Sequence, residues 1–209
     1  MPNPIPMKLP KIDWQKNTGL VPAIVQDATT LQVLMLGYMD EAALKQTLRT
    51  RKVTFFSRSK QRLWTKGESS KNFLHLVSIE VDCDNDTLLV QVNADGPTCH
   101  RGTVSCFGDA GPSGAGFLAH LDEVVAARIK SGDKSSYTVR LVKEGIARVA
   151  QKVGEEGVET ALAAMKKDNK EFAGEAADLL YHLIVLLRAK KLSLADAVAV
   201  LEKRHAPKK

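Results

Sequence analysis

The segment Asp82-Cys83-Asp84-Asn85-Asp86 sets three carboxylates at alternate positions with a thiol between the first two. Asp and Asn favour turns through side-chain bonds to their own backbone, so one reading is a hairpin turn between two strands. A second reading is chemical. In an extended segment, alternation points Asp82, Asp84 and Asp86 to one side and Cys83 to the other, and the concentrated negative charge suits a hard cation such as Mg²⁺. Cys83 is joined by Cys99 and Cys106, with no Cys-x-x-Cys pair among them. Buried free thiols are one account of these residues. Three thiolates with no fourth also match a catalytic zinc, whose remaining position is kept for water or substrate. His100, beside Cys99, can serve as a proton shuttle, as an extra ligand or simply as a turn-stabilising imidazole.

Trp64-Thr65-Lys66-Gly67-Glu68-Ser69-Ser70 combines a cation, serine hydroxyls and a glycine that lets backbone approach a ligand. It reads as a phosphate or ribose clasp, or as an exposed polar hairpin. Further on, Glu156 and Glu159 are i,i+3 neighbours, as are Glu175 and Asp178, so each pair occupies one helix face. Such charges usually mark a solvated face, but Leu179, Leu180 and Leu183 flank Asp178, and a carboxylate buried among them costs too much unless paired or on a metal. Lys166-Lys167-Asp168-Asn169-Lys170 reads as the polar turn of an αα-hairpin that brings both pairs together around Mg²⁺.

The elements that must position these groups fall into two sets. Residues 20–25, 33–37, 53–57, 74–81 and 88–92 are short β-like runs, and one helix carried by Ala42, Ala43, Leu44 and Leu48 follows a cap at Asp40. Residues 108–116 are rich in Gly, Pro and Ser and cannot sustain an apolar period, which sets a domain boundary at 110/111. Beyond it the period becomes helical. Phe117, Leu121, Val124, Val125 and Ile129 form one stripe, and Val139, Val142, Ile146, Val149 and Val153 form a second. Residues 175–188 are apolar nearly all round, and Ser193 opens a last helix with Asp196 three residues on. The expected fold is a strand-rich α+β domain over 1–110 and an all-α bundle over 111–209.

With 44% hydrophobic and 26% charged residues the composition is that of a globular protein and excludes disorder as the main state. No apolar stretch approaches the ~18 residues of a membrane helix. Pro2, Pro4, Pro6 and Pro10 suggest an extended arm without the apolar core of a secretory signal, so a cytoplasmic location is expected. The net charge of +6 is weighted towards Lys203, Arg204, Lys208 and Lys209, and aromatics make up only 5%. That balance favours small anionic substrates over single-stranded nucleic acid read by stacking.

The first domain resembles phosphoribosyl-AMP cyclohydrolase through Gly37-Tyr38-Met39, Val53-Thr54-Phe55-Phe56-Ser57-Arg58-Ser59, Leu63-Trp64-Thr65-Lys66-Gly67-Glu68-Ser69-Ser70, the Asp82 to Asp86 segment and Gly96-Pro97-Thr98-Cys99-His100. Lys71 stands where that family usually has glycine. The second domain is similar to phosphoribosyl-ATP pyrophosphohydrolase, of the all-α nucleotide pyrophosphohydrolase type, through Gln151-Lys152-Val153-Gly154-Glu155-Glu156-Gly157-Val158-Glu159 and Glu175-Ala176-Ala177-Asp178-Leu179-Leu180-Tyr181-His182. Together they resemble the bifunctional family of histidine biosynthesis over residues 14–205.

The resemblance implies two consecutive hydrolyses. Mg²⁺ on Glu156, Glu159, Glu175 and Asp178 would serve release of pyrophosphate from phosphoribosyl-ATP, with Glu155 as the spare carboxylate that activates water. Zinc on Cys83, Cys99 and Cys106 would yield the hydroxide that opens the N1–C6 bond of phosphoribosyl-AMP, with His100 in proton transfer and Mg²⁺ on Asp82, Asp84 and Asp86 near the substrate phosphate. Trp64, Lys66, Ser69, Ser70 and Arg101 would contact the nucleotide. The resemblance further implies a homodimer whose zinc cysteines come from two subunits, and no nucleic-acid or membrane partner. A zinc nucleobase deaminase would need a Pro-Cys-x-x-Cys and His-x-Glu pattern, and Pro97-Thr98-Cys99-His100 lacks that spacing. A nucleic-acid-binding module would have to bring phosphates past the unshielded carboxylates of the bundle.

Overall fold

The computed structural model describes residues 11–16, 18–108 and 110–206; the prolines of the amino-terminal arm and the terminal Lys208 and Lys209 lie outside the described residues. The chain forms two compact units that divide between Phe117 and Leu118.

The first unit runs β1 (Val21–Asp27), β2 (Val33–Met39), α1 (Glu41–Thr50), β3 (Thr54–Ser57), β4 (Arg62–Thr65), β5 (Leu74–Val81) and β6 (Leu88–Ala94). Four strands make a mixed sheet in the order β2-β1-β6-β5, with β1 parallel to β6 and the outer pairs antiparallel. Period-two alternation drives Val21, Ala23 and Val25 of β1 and Leu88, Val90 and Val92 of β6 into the core, each fully buried. The Asp40 carboxylate accepts the Ala43 N–H at 2.6 Å and caps α1. Gly37 in β2 is required by contact: a Cβ there would lie 2.3 Å from the Phe55 ring. The sequence reading did not mark β4, a four-residue strand with polar ends at Arg62 and Thr65. It pairs with β3 and sets Trp64 against Phe55, ring centroids 5.8 Å apart.

The compact first unit runs on through Phe117. Gln32 Nε2 donates to the Ala110 carbonyl at 2.8 Å, and Gly116 approaches the Thr30 carbonyl so closely that a Cβ would lie 2.4 Å from it. Small residues in this stretch therefore let its backbone pack on the first unit instead of hanging free.

The remaining helices are α2 (Ala115–Ser131), whose first three residues belong to the first unit, and, wholly in the second unit, α3 (Tyr137–Lys143), α4 (Ile146–Ala163), α5 (Asn169–Ala189) and α6 (Leu194–His205). The stripe from Val139 to Val153 suggests one helix; the structure makes two, because Gly145 takes φ 101° and caps α4. Asp168 caps α5, accepting from the N–H groups of Lys170 and Glu171, so Asn169 and Lys170 begin the helix rather than finish the turn. Ser193 and Asp196 form the expected capping box. Val125, Leu141, Val149, Ile184 and Val185 make the core. Asp122, 4% exposed, accepts two N–H groups of Arg188 at 2.6 Å each and the Leu194 N–H at 3.1 Å, which ties α2, α5 and the start of α6 together.

Helix α5 is not enclosed within one copy of the chain. Asp178 is exposed, and Leu180 and Leu183 are 42% and 37% exposed, so the expected burial of Asp178 among leucines does not occur there. No helix among the described residues is long and apolar enough to cross a membrane.

Replacing Asp122 with Ala strands the Arg188 guanidinium and should destabilise the helical unit by about 3–5 kcal/mol. Urea denaturation followed by helical circular dichroism measures the loss; a change under about 1 kcal/mol would reduce the pair to a surface bridge.

Candidate active sites

In the first unit a cavity of about 520 Å³ is bounded by Trp64, Lys66, Ser69, Ser70, Thr98, Cys99, His100 and Cys106, among others. Two loops bring its thiols together. The Cys99 N–H donates to the Thr103 carbonyl at 3.0 Å and the Cys106 N–H to the Leu34 carbonyl at 2.8 Å, while the Ser105 hydroxyl anchors the same loop to Val33. The Arg101 N–H and the Thr103 hydroxyl draw the Cys99 thiol below its ordinary pKa. Loss of hydration, then the nearby Cys99 charge, push the Cys106 thiol up. Two adjacent thiols, the charge of one opposing ionisation of the other, are a donor set that a soft cation would relieve. Cys83 lies elsewhere, exposed on the β5–β6 turn, and among the described residues the three thiols do not converge within one copy.

His100 is exposed at the rim, its Nδ1 3.9 Å from Cys99 Sγ. It also borders a second cavity, of about 510 Å³, where Arg101 lies beside Cys99 and Cys106. Lys66 is only 7% exposed, and burial pushes its ammonium below the ordinary lysine range. Ser69 and Ser70 belong to a turn closed by the Lys71 N–H on the Gly67 carbonyl at 2.8 Å. Lys71 itself has φ 65°, the left-handed region where a side chain is strained and glycine is not.

The Asp82 turn combines both readings of its sequence. Asp82 Oδ1 accepts the N–H groups of Asp86 and Thr87 at 3.0 Å, and Asn85 takes φ 65°. The carboxylates converge because the chain turns, not because an extended strand alternates. Ligand oxygens of Asp82, Asp84 and Asp86 lie within 4.8 Å of one another, close enough to share a cation. The Lys16 ammonium contacts Asp84 at 2.5 Å and Asp86 at 3.1 Å, which holds its own pKa well above the lysine range.

In the second unit the α4–α5 hairpin gathers Glu156, Glu175 and Asp178 within the same 4.8 Å limit. Glu159 is outside that trio, but its charge acts on Glu175. Partial loss of hydration, then Glu159, Glu156 and Asp178, raise the Glu175 pKa. Lys152 stands 2.7 Å from Glu156 and 2.9 Å from Glu155. Glu155 also accepts from Gln151 at 2.8 Å and Arg148 at 3.3 Å, and Lys152 foremost holds its carboxyl below the usual range. To take a proton from water it would have to release these donors.

Sequence reasoning missed His182 as a site residue. Buried at 5% exposure, it donates from Nδ1 to the Asp178 carbonyl at 2.9 Å, so Nε2 is left to accept the Tyr137 hydroxyl at 3.1 Å. The same Nδ1 lies 3.6 Å from Glu156. Its i,i+4 spacing from Asp178 was the available signal.

A strand-rich unit with a thiol-lined cavity, followed by a helical unit with a carboxylate cluster, defines a class of protein with two separate centres able to hold metal. Residues 35–108 match the family model for phosphoribosyl-AMP cyclohydrolase and residues 118–205 that for phosphoribosyl-ATP pyrophosphohydrolase. The chain is 61% identical over 198 residues to the histidine biosynthesis bifunctional protein HisIE of Xylella fastidiosa strain Temecula1, covering 94% of each. It is 57% identical over 197 residues to the protein of that name from Shewanella oneidensis, covering 93% of this chain and 92% of the relative. With that of Escherichia coli K12 it shares 56% identity over 195 residues, 93% of this chain and 96% of the relative. The chain belongs to this bifunctional family of histidine biosynthesis, with a cyclohydrolase domain followed by a pyrophosphohydrolase domain.

Lys71→Gly relieves the left-handed strain and should raise stability by up to about 1 kcal/mol, part of the gain being lost to the freer unfolded chain. Thermal unfolding of the purified variant reads it, and a lower midpoint would show that the lysine side chain itself contributes. In metal-free protein the Glu175 carboxyl should titrate above the ordinary glutamate value by carbon-detected NMR, and added Mg²⁺ should carry it below. In the metal-free protein its contribution to stability is full below the unfolded-state value and lost as pH rises through the raised one. A Glu175 titration unmoved by Mg²⁺ would remove it from the cluster's function.

Proposed function

We propose that the helical unit acts first, releasing pyrophosphate from phosphoribosyl-ATP, and that the strand-rich unit then opens phosphoribosyl-AMP between N1 and C6. Glu156, Glu175 and Asp178, with Glu159 beside them, would hold Mg²⁺, which when bound would offset the charge of the polyphosphate. Lys152, 2.7 Å from Glu156, would give up that contact to a cation held there. His182, steadied by Tyr137, keeps Asp178 and Glu156 in register.

In the strand-rich unit Cys99 and Cys106 of one protomer would hold zinc with Cys83 of the partner subunit, so the working enzyme is a homodimer. Zinc, when bound there, would act as a Lewis acid that makes water a nucleophile near neutral pH. Trp64 offers a flat face to the base, while Lys66, Ser69 and Ser70 hold polar groups of the nucleotide. His100 passes a proton to N1 as the C6–N1 bond breaks and the water oxygen stays on C6. Arg101 contacts phosphate, and Asp82, Asp84 and Asp86 would hold Mg²⁺, which when bound would offset the phosphate charge. The observation that carries this reading is the pairing of Cys99 with Cys106 at the cavity while Cys83 stands apart. Support for association comes from the exposed apolar side chains of α4 and the turn after it, among them Val158 at 59%, Leu162 at 60% and Met165 at 86%.

Cys99→Ser should lose zinc together with ring opening, because serine replaces a thiolate with a hydroxyl that stays protonated. It should still release pyrophosphate and so accumulate phosphoribosyl-AMP. Cys83→Ser should behave alike. Mixing the two inactive variants under subunit exchange regenerates about a quarter of the sites, since half of the dimers are mixed and one site in each is intact. Normal zinc content and turnover in Cys99→Ser would exclude it as a ligand; mixtures that stay inactive despite exchange would exclude the shared site.

A further inference from the structure

One carboxylate of the helical unit has no role in the scheme above. Glu155 adjoins Glu156 of the acidic cluster, yet it is taken up by donors: Lys152 at 2.9 Å, Gln151 at 2.8 Å and Arg148 at 3.3 Å. A carboxylate so engaged is poorly placed to take a proton from water. Lys152 is the most informative of these partners. Its ammonium bridges Glu155 and Glu156, 2.7 Å from the latter, and the side chains of Lys152 and Glu156 are only 19% and 7% exposed, which sets the contact apart from a solvated surface pair. Glu156 in turn offers an oxygen that lies within 4.8 Å of those offered by Glu175 and Asp178. The ammonium is therefore fixed beside the place where the three carboxylates converge.

We propose that Lys152 binds the polyphosphate of the substrate and that Glu155 is the positioning residue that holds it beside the acidic cluster. This rests on the pyrophosphate-release assignment above. With a divalent cation held at Glu156, Lys152 gives up that carboxylate, because two cations compete for one anion at close range. It keeps Glu155, and its ammonium has three N–H donors, so at least one is left for a new acceptor. The phosphate oxygens drawn to the cluster are the nearest anions, and Lys152 turns onto them. Glu155 limits how far the flexible lysine stem can swing, and Gln151 and Arg148 steady Glu155 from its own helix. The same ammonium thus shields the cluster before the metal binds and meets the substrate afterwards.

The test uses the full-length enzyme, with turnover of phosphoribosyl-ATP in Mg²⁺ and two calorimetric titrations, one of Mg²⁺ alone and one of pyrophosphate onto the Mg²⁺-loaded protein. Lys152→Gln should raise KM for phosphoribosyl-ATP and the dissociation constant of pyrophosphate about tenfold each. Its affinity for Mg²⁺ alone should be equal or higher, since Glu156 no longer has an ammonium to release; a lysine that merely shapes the cluster predicts the opposite sign. Lys152→Arg, which keeps the charge, should recover part of the pyrophosphate affinity. Glu155→Gln should raise KM with kcat within about threefold of the parent enzyme, whereas loss of a general base lowers kcat about a hundredfold or more. Unchanged KM and pyrophosphate binding in Lys152→Gln would overturn the proposal, as would weaker binding of Mg²⁺ alone. A hundredfold fall in kcat at unchanged KM in Glu155→Gln would overturn the positioning role, by making Glu155 the base. A wild-type enzyme that bound Mg²⁺ and pyrophosphate but released none from phosphoribosyl-ATP would overturn the parent assignment instead.

Discussion

Mutual repulsion between like charges is the constraint under which the rest of this chain is arranged. Asp82, Asp84 and Asp86 meet in one turn, Glu156, Glu175 and Asp178 meet across a helical hairpin, and two thiols meet at the wall of a cavity. None of these encounters is favourable by itself. Each is enforced by ordinary structure close by: backbone N–H groups that bind Asp82, a cap at Asp168 that fixes where α5 begins, and a loop pinned to β2 by Ser105. In two of the three the chain supplies its own provisional cation, Lys16 on the aspartates and Lys152 on Glu156. An ammonium is a poor substitute for a divalent ion, but it lets the clusters form before any metal arrives.

The two units meet this constraint by different means. In the strand-rich unit the scaffold is a sheet whose core is complete, and the chemistry sits on loops that the sheet edges hold. In the helical unit the clustered carboxylates project directly from α4 and α5, whose geometry sets their spacing, and Asp122 secures α5 through Arg188. That unit also leaves leucines of α5 and apolar side chains of α4 uncovered, so the helices that carry the acidic cluster are only half enclosed by their own chain.

Much of this was legible in the residues themselves. Alternation in β1 and β6, the caps at Asp40 and Ser193 and the i,i+3 carboxylates are local signals, and each found its element. Errors arose where a local pattern had two solutions. The stripe from Val139 to Val153 fits one helix until Gly145 is allowed a positive φ. Leucines around Asp178 suggest burial, yet burial depends on what packs there, which one sequence does not state. Strand β4 has too few residues to announce a period, and His182 was read as part of a motif rather than as a bridge between Tyr137 and the acidic cluster. Whether a carboxylate is free to act is also a three-dimensional fact: Glu155 looks unengaged in the sequence and accepts from three side chains in the fold.

The parallel pairing of β1 with β6 joins the first strand of the sheet to the last, and does so at the sheet's centre. During synthesis β1 must therefore wait, paired only with β2, until every intervening element has been made. The helical unit is built largely from contacts between helices adjacent in sequence, α4 with α5 above all, and has no such wait once its residues exist. Closing the long β1–β6 loop carries an entropic cost that local helix pairing avoids, so the sheet is the slower of the two to mature. A ribosome-bound chain that has not yet reached β6 exposes the inner faces of β1 and β2, and this is the stage at which it is most open to mispairing with another nascent copy.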